Sequence, residues 1–209
     1  MTVLYLGSDP ERFSAERKEK IIHFPLLEIV PRPLDSPPIA HLIEELPSFT
    51  HCIFTSKHTV FALRLHIQTL KNILAIGQST AAALKKEGIT PSWVAKEETQ
   101  EGIIAHLRLI DWGDDAYVLL PRSSLARSGL ENFFILRGIR HQVCDLYDTR
   151  PRSVAPPVLD AIEEIVFTSP STVHAFRALF PTPPPHKRLT PIGPITAEAL
   201  RTYMDRAKI

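Results

Sequence analysis

The chain has 209 residues, 44 % of them hydrophobic and 22 % charged, with 24 Lys and Arg against 23 Asp and Glu. That balance excludes a disordered, collagen-like or coiled-coil chain, and a net charge of +1 argues against duplex nucleic acid as the main partner. Two cysteines, Cys52 and Cys144, lie outside any C-x-x-C pair and supply no metal framework. The apolar run before Asp9 is too short for a signal-peptide core, and no window approaches the roughly 18 apolar residues that span a bilayer. A cytoplasmic protein with neither membrane nor nucleic acid as partner is expected.

In chain order, VLYL at 3–6 reads as an opening strand and 38–46 as a helix. IFTS ends a short buried strand at Ser56, which sits where a helix N-cap belongs, and the spacing of Val60, Leu63 and Ile67 continues as helix. ILAIG then predicts a strand and a tight turn at Gly77, followed by a helix from Ser79 that Gly88 stops. Helices are expected at 100–110 and 126–138, with the strand YVLLP at 117–121 between them, and a further helix at 157–164. IVFTS at 165–169 is another buried strand, and Pro170 suits the first helical position because its missing N–H costs nothing there. LTPIG, Gly193 and a helix from Ile195 through Lys208 close the chain.

Two of these units recur. IFTSKHTVFAL resembles IVFTSPSTVHAF, and AIGQSTAAAL resembles PIGPITAEAL, in the same order and at nearly the same separation. Strand–turn–helix units in duplicate predict an α/β protein of two similar lobes, each a parallel sheet flanked by helices. Prolines crowd 29–38 and 149–157, on either side of the first copy. Residues 35–143 are therefore expected to form one continuous lobe. The other lobe is assembled from 1–28 plus 152–209, and 29–34 and 144–151 form a two-stranded hinge.

Strand–turn–helix units leave unpaired N–H groups and the positive end of the dipole at each helix N-terminus. Four such termini, near residues 56, 79, 169 and 195, carry Ser or Thr and are expected to line an anion-binding cleft. Capping alone explains any one of these hydroxyls; repetition of the whole motif argues for the set. Arg122, ending YVLLP, is expected at the edge where a crevice opens. Asp9, Asp145 and Asp148 are weaker acid–base candidates, for which surface or turn positions are the plainer account. No dinucleotide, phosphate-loop, zincin or nucleophile-elbow motif occurs, and the nine histidines lack ligand spacing, so no metal site is expected.

Taken together, FTSKHTV, IGQSTAAAL, QEGI, LPRSSLARSGLENFFILRGI, CDLYDTRP, IVFTSPSTVHAF and IGPITAEAL resemble the uroporphyrinogen-III synthase family in succession over about residues 50–200. The resemblance implies two α/β lobes joined by a two-stranded ladder. It also implies a cofactor-free and metal-free lyase of haem biosynthesis, expected as a monomer, that cyclises hydroxymethylbilane. This linear tetrapyrrole carries eight carboxylates; water leaves and ring D is inverted. Carried over by position, the resemblance makes Tyr147 the catalytic candidate. It makes Ser56, Lys57, Gly77, Ser79, Thr80, Arg122, Ser169, Ser171, Gly193 and Thr196 candidates for binding substrate carboxylates. The resemblance calls for an arginine soon after the first strand and then a helix ending in glycine; LYLGSDPERFSAERKEKIIHF lacks both features, and Ile209 follows closely on the IGPITAEAL helix. A trimmed first lobe is expected on both counts. The alternative to an enzyme is a two-lobed tetrapyrrole-binding or regulatory protein without turnover.

Overall fold

The structure, a computed structural model, describes residues 1–8, 10, 13 and 18–205. Asp9 and the last residues of the final predicted helix lie outside the described residues. The chain divides into two compact units, residues 1–29 with 150–209 and residues 30–149. It passes from one to the other twice, within strands β3 (Leu27–Pro31) and β8 (Arg140–Pro151).

The continuous unit holds α1 (Pro37–Glu45), β4 (His51–Phe54), α2 (Lys57–Leu63), β5 (Ile73–Ala75), α3 (Gln78–Lys86) and β6 (Trp93–Val94). It continues with α4 (Gln100–Leu107), β7 (Tyr117–Ser123) and α5 (Gly129–Leu136). Its sheet runs β3-β8-β7-β4-β5-β6, and the pairs from β8 to β6 are parallel. Cys52–Phe54 of β4, β5 and Tyr117–Pro121 of β7 are apolar because both faces are covered. Cys52, Phe54, Tyr117 and Leu119 pack with Leu42, Val60, Leu63 and Leu84 of α1 to α3. The alternate residues Ile53, Leu74, Val118 and Leu120 pack with Ile103, Leu107, Leu130 and Phe134 of α4 and α5. The period of two along each strand thus assigns every side chain to one of two helical layers.

The second unit is smaller. β1 (Thr2–Tyr5), β2 (Lys20–His23), β9 (Glu164–Phe167) and β10 (Arg188–Pro191) form a parallel sheet in the order β10-β9-β1-β2. Helices α6 (Pro170–Leu179) and α7 (Pro194–Asp205) contribute Val173, Phe176, Leu200 and Tyr203 to a core with Leu4, Ile165 and Phe167. Val3, Tyr5 and Val166 meet Phe13 and Ile21 in a separate cluster.

Several expectations need correction. No helix forms at 157–164: Ile162 N–H closes a single turn on Leu159, Glu163 N–H donates to Thr2 O, and Glu164 already belongs to β9. Strand pairing claims those residues before a helix could nucleate. The helix after Ser56 stops at Leu63, and Ile67 reaches the core from a separate 3₁₀ turn, Ile67–Thr69. The predicted 126–138 helix is confined to 129–136, entered at Ser128 and left before Gly138, whose φ of 63° is a left-handed helix end. Gly77 makes no tight turn, since its φ of −179° is extended backbone open to any residue. The short strands β2 and β6 have no counterpart among the predicted elements.

Candidate functional site

Tyr147 lies in β8, where the pairing with β7 slips: Arg122 faces Asp145 and Ser123 faces Tyr147, so Leu146 is one residue extra. A bulge of this kind re-aims the following side chain. The Tyr147 phenol, 7 % exposed, donates to Ser56 Oγ at 3.0 Å, and its ring meets His58 edge-on at 5.5 Å. Ser56 caps α2 and also accepts His58 N–H at 3.1 Å. Burial raises the phenol's pKa, and hydrogen bonds to Ser56 and Ser123 only partly oppose that, so the group is a neutral donor at neutral pH. Two candidates 91 residues apart in the chain are thus in direct contact.

Arg122 lies in β7 and is already paired. Its Nε donates to Asp145 Oδ1 at 3.0 Å and its Nη1 to Glu131 Oε2 at 2.8 Å. Arg32 joins through Asp148 at 2.8 Å and Asp145 at 3.9 Å. Burial opposes the charge on Arg122, but the two carboxylates outweigh it and its pKa is raised. Asp145 and Asp148 therefore serve as counterions. Cys52 is fully buried, and burial also pushes Cys144 up to about 11, which leaves both as protonated thiols.

The remaining candidates gather at three further helix starts. At α3, Gly77 precedes the first turn, Ser79 is exposed and Thr80 is 2 % exposed. Gln78 N–H donates to Glu98 Oε1 at 3.0 Å. At α6, Ser169 and Thr172 form a reciprocal capping box with Pro170 behind the cap, and Ser171 is half-buried. At α7, Gly193 has a φ of 89° with open space where a Cβ would stand, and Thr196 is 3 % exposed. Neither Thr80 nor Thr196 gives its hydroxyl a partner among the described residues. Lys57 opens α2 half-buried. Among the described residues no group of three or more His, Cys, Asp or Glu is placed to hold a metal ion, and no helix is long and apolar enough to cross a membrane.

Residues 13–208 match the family described as Uroporphyrinogen-III synthase HemD. The chain belongs to the uroporphyrinogen-III synthase family. It is accordingly a cyclising lyase of porphyrin biosynthesis. Solved structures of similar fold include a mutant uroporphyrinogen III synthase from the extremely thermophilic bacterium Thermus thermophilus. That structure is 20 % identical with a TM-score of 0.65, covering 97 % of this chain and 89 % of that one. A second is uroporphyrinogen-III synthetase from Helicobacter pylori, 22 % identical with a TM-score of 0.63, covering 96 % of this chain and 88 % of that one. No curated protein matches the chain in a sequence search.

Against this uroporphyrinogen-III synthase background, two residues stand out that the motifs did not reveal. Glu98, in the loop before α4, reaches across twenty residues to the start of α3. Gln100 donates to Arg127 O at 3.1 Å, while its buried Oε1 finds no partner among the described residues. Neither had a signal in the sequence: Glu98 reads as one more solvated charge in KEET, and Gln100 as the first residue of a helix.

Proposed function

We propose that the chain converts hydroxymethylbilane to uroporphyrinogen III with inversion of ring D and loss of water, and that Tyr147 assists departure of the hydroxyl. The observation that carries the assignment is the buried phenol held on Ser56 at 3.0 Å at the start of α2. A neutral phenol is a weak acid but a good hydrogen-bond donor, and a donor matters most where charge develops on the leaving oxygen. On arrival of the substrate, Tyr147 exchanges Ser56 for the departing hydroxyl, which leaves as water; the proton it takes up is balanced by the one the pyrrole N–H of the same ring releases as the azafulvene forms. The resulting azafulvene is attacked by the far end of the bilane to give a spirocyclic pyrrolenine, which fragments and recloses with ring D reversed. These steps need a folded bilane more than they need further acids and bases, so much of the catalysis is orientation.

Orientation falls to the carboxylate-binding groups. Lys57, Ser79 and Thr80 with the amides after Gly77 serve in the continuous unit; Ser169, Ser171 and Thr196 with the Gly193 segment serve in the other. Helix starts suit carboxylates because their free N–H groups and dipoles are already aligned. Arg122, balanced by Asp145 and Glu131, positions the β7–β8 edge that carries Tyr147. A cytoplasmic monomer is the working form proposed.

The test is a product assay with freshly generated hydroxymethylbilane, oxidation, and separation of type I and type III uroporphyrins. The bilane closes unaided to type I, so type III above the blank is the expected outcome. Only type I from folded protein would sink the reading in favour of a tetrapyrrole binder without turnover.

A further inference from the structure

At the start of α3, one of the proposed carboxylate sites, a carboxylate of the chain itself is already present. Glu98 Oε1 accepts Gln78 N–H at 3.0 Å. The same side chain lies over Gly77, whose extended backbone would accept any residue. A Cβ there would stand 2.5 Å from both Cγ and Cδ of Glu98, the far end of an exposed side chain that is able to move aside. The carboxylate arm of Glu98 thus lies directly on the backbone of the strand-to-helix junction.

Glu98 does not use the whole site. Thr80, in the same first turn, is 2 % exposed and its hydroxyl has no partner among the described residues. Glu98 itself is exposed and arrives on the loop between β6 and α4. An exposed carboxylate at a helix start gains only about two- to fivefold in affinity from it, so a carboxylate on a larger ligand that also engages Thr80 competes with it for the same N–H.

We propose that Glu98 is a built-in competitor for the substrate: its carboxylate fills the start of α3 in the free protein and yields that place to a carboxylate of the tetrapyrrole. This rests on the reading, made above, that α3 binds a substrate carboxylate. Glu98 then sets the affinity of the site and rejects ligands whose single carboxylate has no further anchor. No bond is made or broken; one acceptor replaces another on the same N–H.

The experiment measures KM and kcat for hydroxymethylbilane and the Kd of uroporphyrinogen III, by anaerobic calorimetry, for wild type, Glu98→Gln, Glu98→Ala and Thr80→Val. Removing the competing charge is expected to lower KM and Kd about two- to fivefold, the range a carboxylate at a helix start is worth, with the gain in KM rather than kcat. Thr80→Val is expected to raise both constants. If Thr80→Val raises them but both Glu98 variants leave them unchanged or raised, the competitor proposal is overturned while the site reading survives. If Thr80→Val and the Glu98 variants alike change nothing, α3 is not a carboxylate site and the proposal falls with it. Melting temperatures of all four proteins separate a folding defect: a Glu98 variant that only loses stability, with no gain in affinity, counts against the proposal.

Discussion

The helix starts at α3 and α7 descend from the same repeated motif, yet they differ in what stands on them. At α3 a glycine with ordinary extended backbone lies under the Glu98 side chain. At α7 the corresponding Gly193 takes a left-handed φ of 89°, and nothing lies within 4 Å of where its Cβ would be. Of the two, only Gly193 is required by backbone shape. The paired first motifs differ as well. Ser56 receives a phenol from a distant strand, whereas Ser169 is closed upon Thr172 of its own helix. Duplication preserved the strand–turn–helix frame, and the two units then put the frame's free N–H groups to different uses.

The largest expected break in this comparison is Tyr147→Phe. Losing a donor to a developing charge should lower kcat about 10- to 100-fold, with KM nearly unchanged, as read by the rate of type III formation. Ser169→Ala in the other unit should leave kcat far less affected; an equal loss would erase the distinction between the two first motifs. Next come Thr80→Val and Thr196→Val. Each deletes the hydroxyl of a largely buried threonine proposed to meet a substrate carboxylate and should raise KM by about tenfold. A rise for one and not the other would show which unit binds the more tightly held carboxylate.

Stability sharpens the contrast further. Ser169→Ala dissolves a complete capping box and should cost about 1 kcal/mol in urea denaturation, without the catalytic loss expected of Tyr147→Phe. The pH dependence differs too. Burial pushes Tyr203, in α7, up to about 12, and its phenol donates to Phe180 O at 2.6 Å. The unfolded tyrosine titrates near 10, so above that pH the unfolded chain sheds a proton the native chain keeps. The stabilisation is complete below about pH 10 and is lost as pH rises through about 12. Tyr203→Phe should flatten the fall in melting temperature over that range, and an unchanged slope would contradict it. Smallest of all is Arg127→Gln. The Arg127–Glu101 pair is close, 2.7 Å, but its side chains are 47 % and 63 % exposed, so its loss should cost under about 1 kcal/mol.

Much of this architecture is legible from local pattern. The apolar runs in IFTS (53–56), YVLLP (117–121) and IVFTS (165–169) announce buried strands because no polar face is left to them. Ser56 and Ser169 announce helix starts because a side-chain oxygen there satisfies an N–H that the helix cannot. The repeat of both motifs announces two units of one design. Local pattern fails where pairing overrides it, as at 157–164, and where a strand offers no buried run to read, as in β2 and β6, neither of which has a fully buried residue.

The site divides along the same line. Which residues carry hydroxyls and amides at helix starts is a property of short segments, and the sequence by itself determined it. Which groups meet those helix starts depends on approaches across tens of residues, and only the tertiary structure decided it. Tyr147 comes to Ser56 through a one-residue slip between β7 and β8, and Glu98 comes to Gln78 from the loop before α4. Arg122, read from the sequence only as the residue that ends YVLLP, is balanced once Asp145 and Glu131 are folded beside it. The reason is physical: caps and strand periods are set by neighbours in the chain, whereas the partner of a charge or a phenol is set by register and packing, which no local spacing encodes.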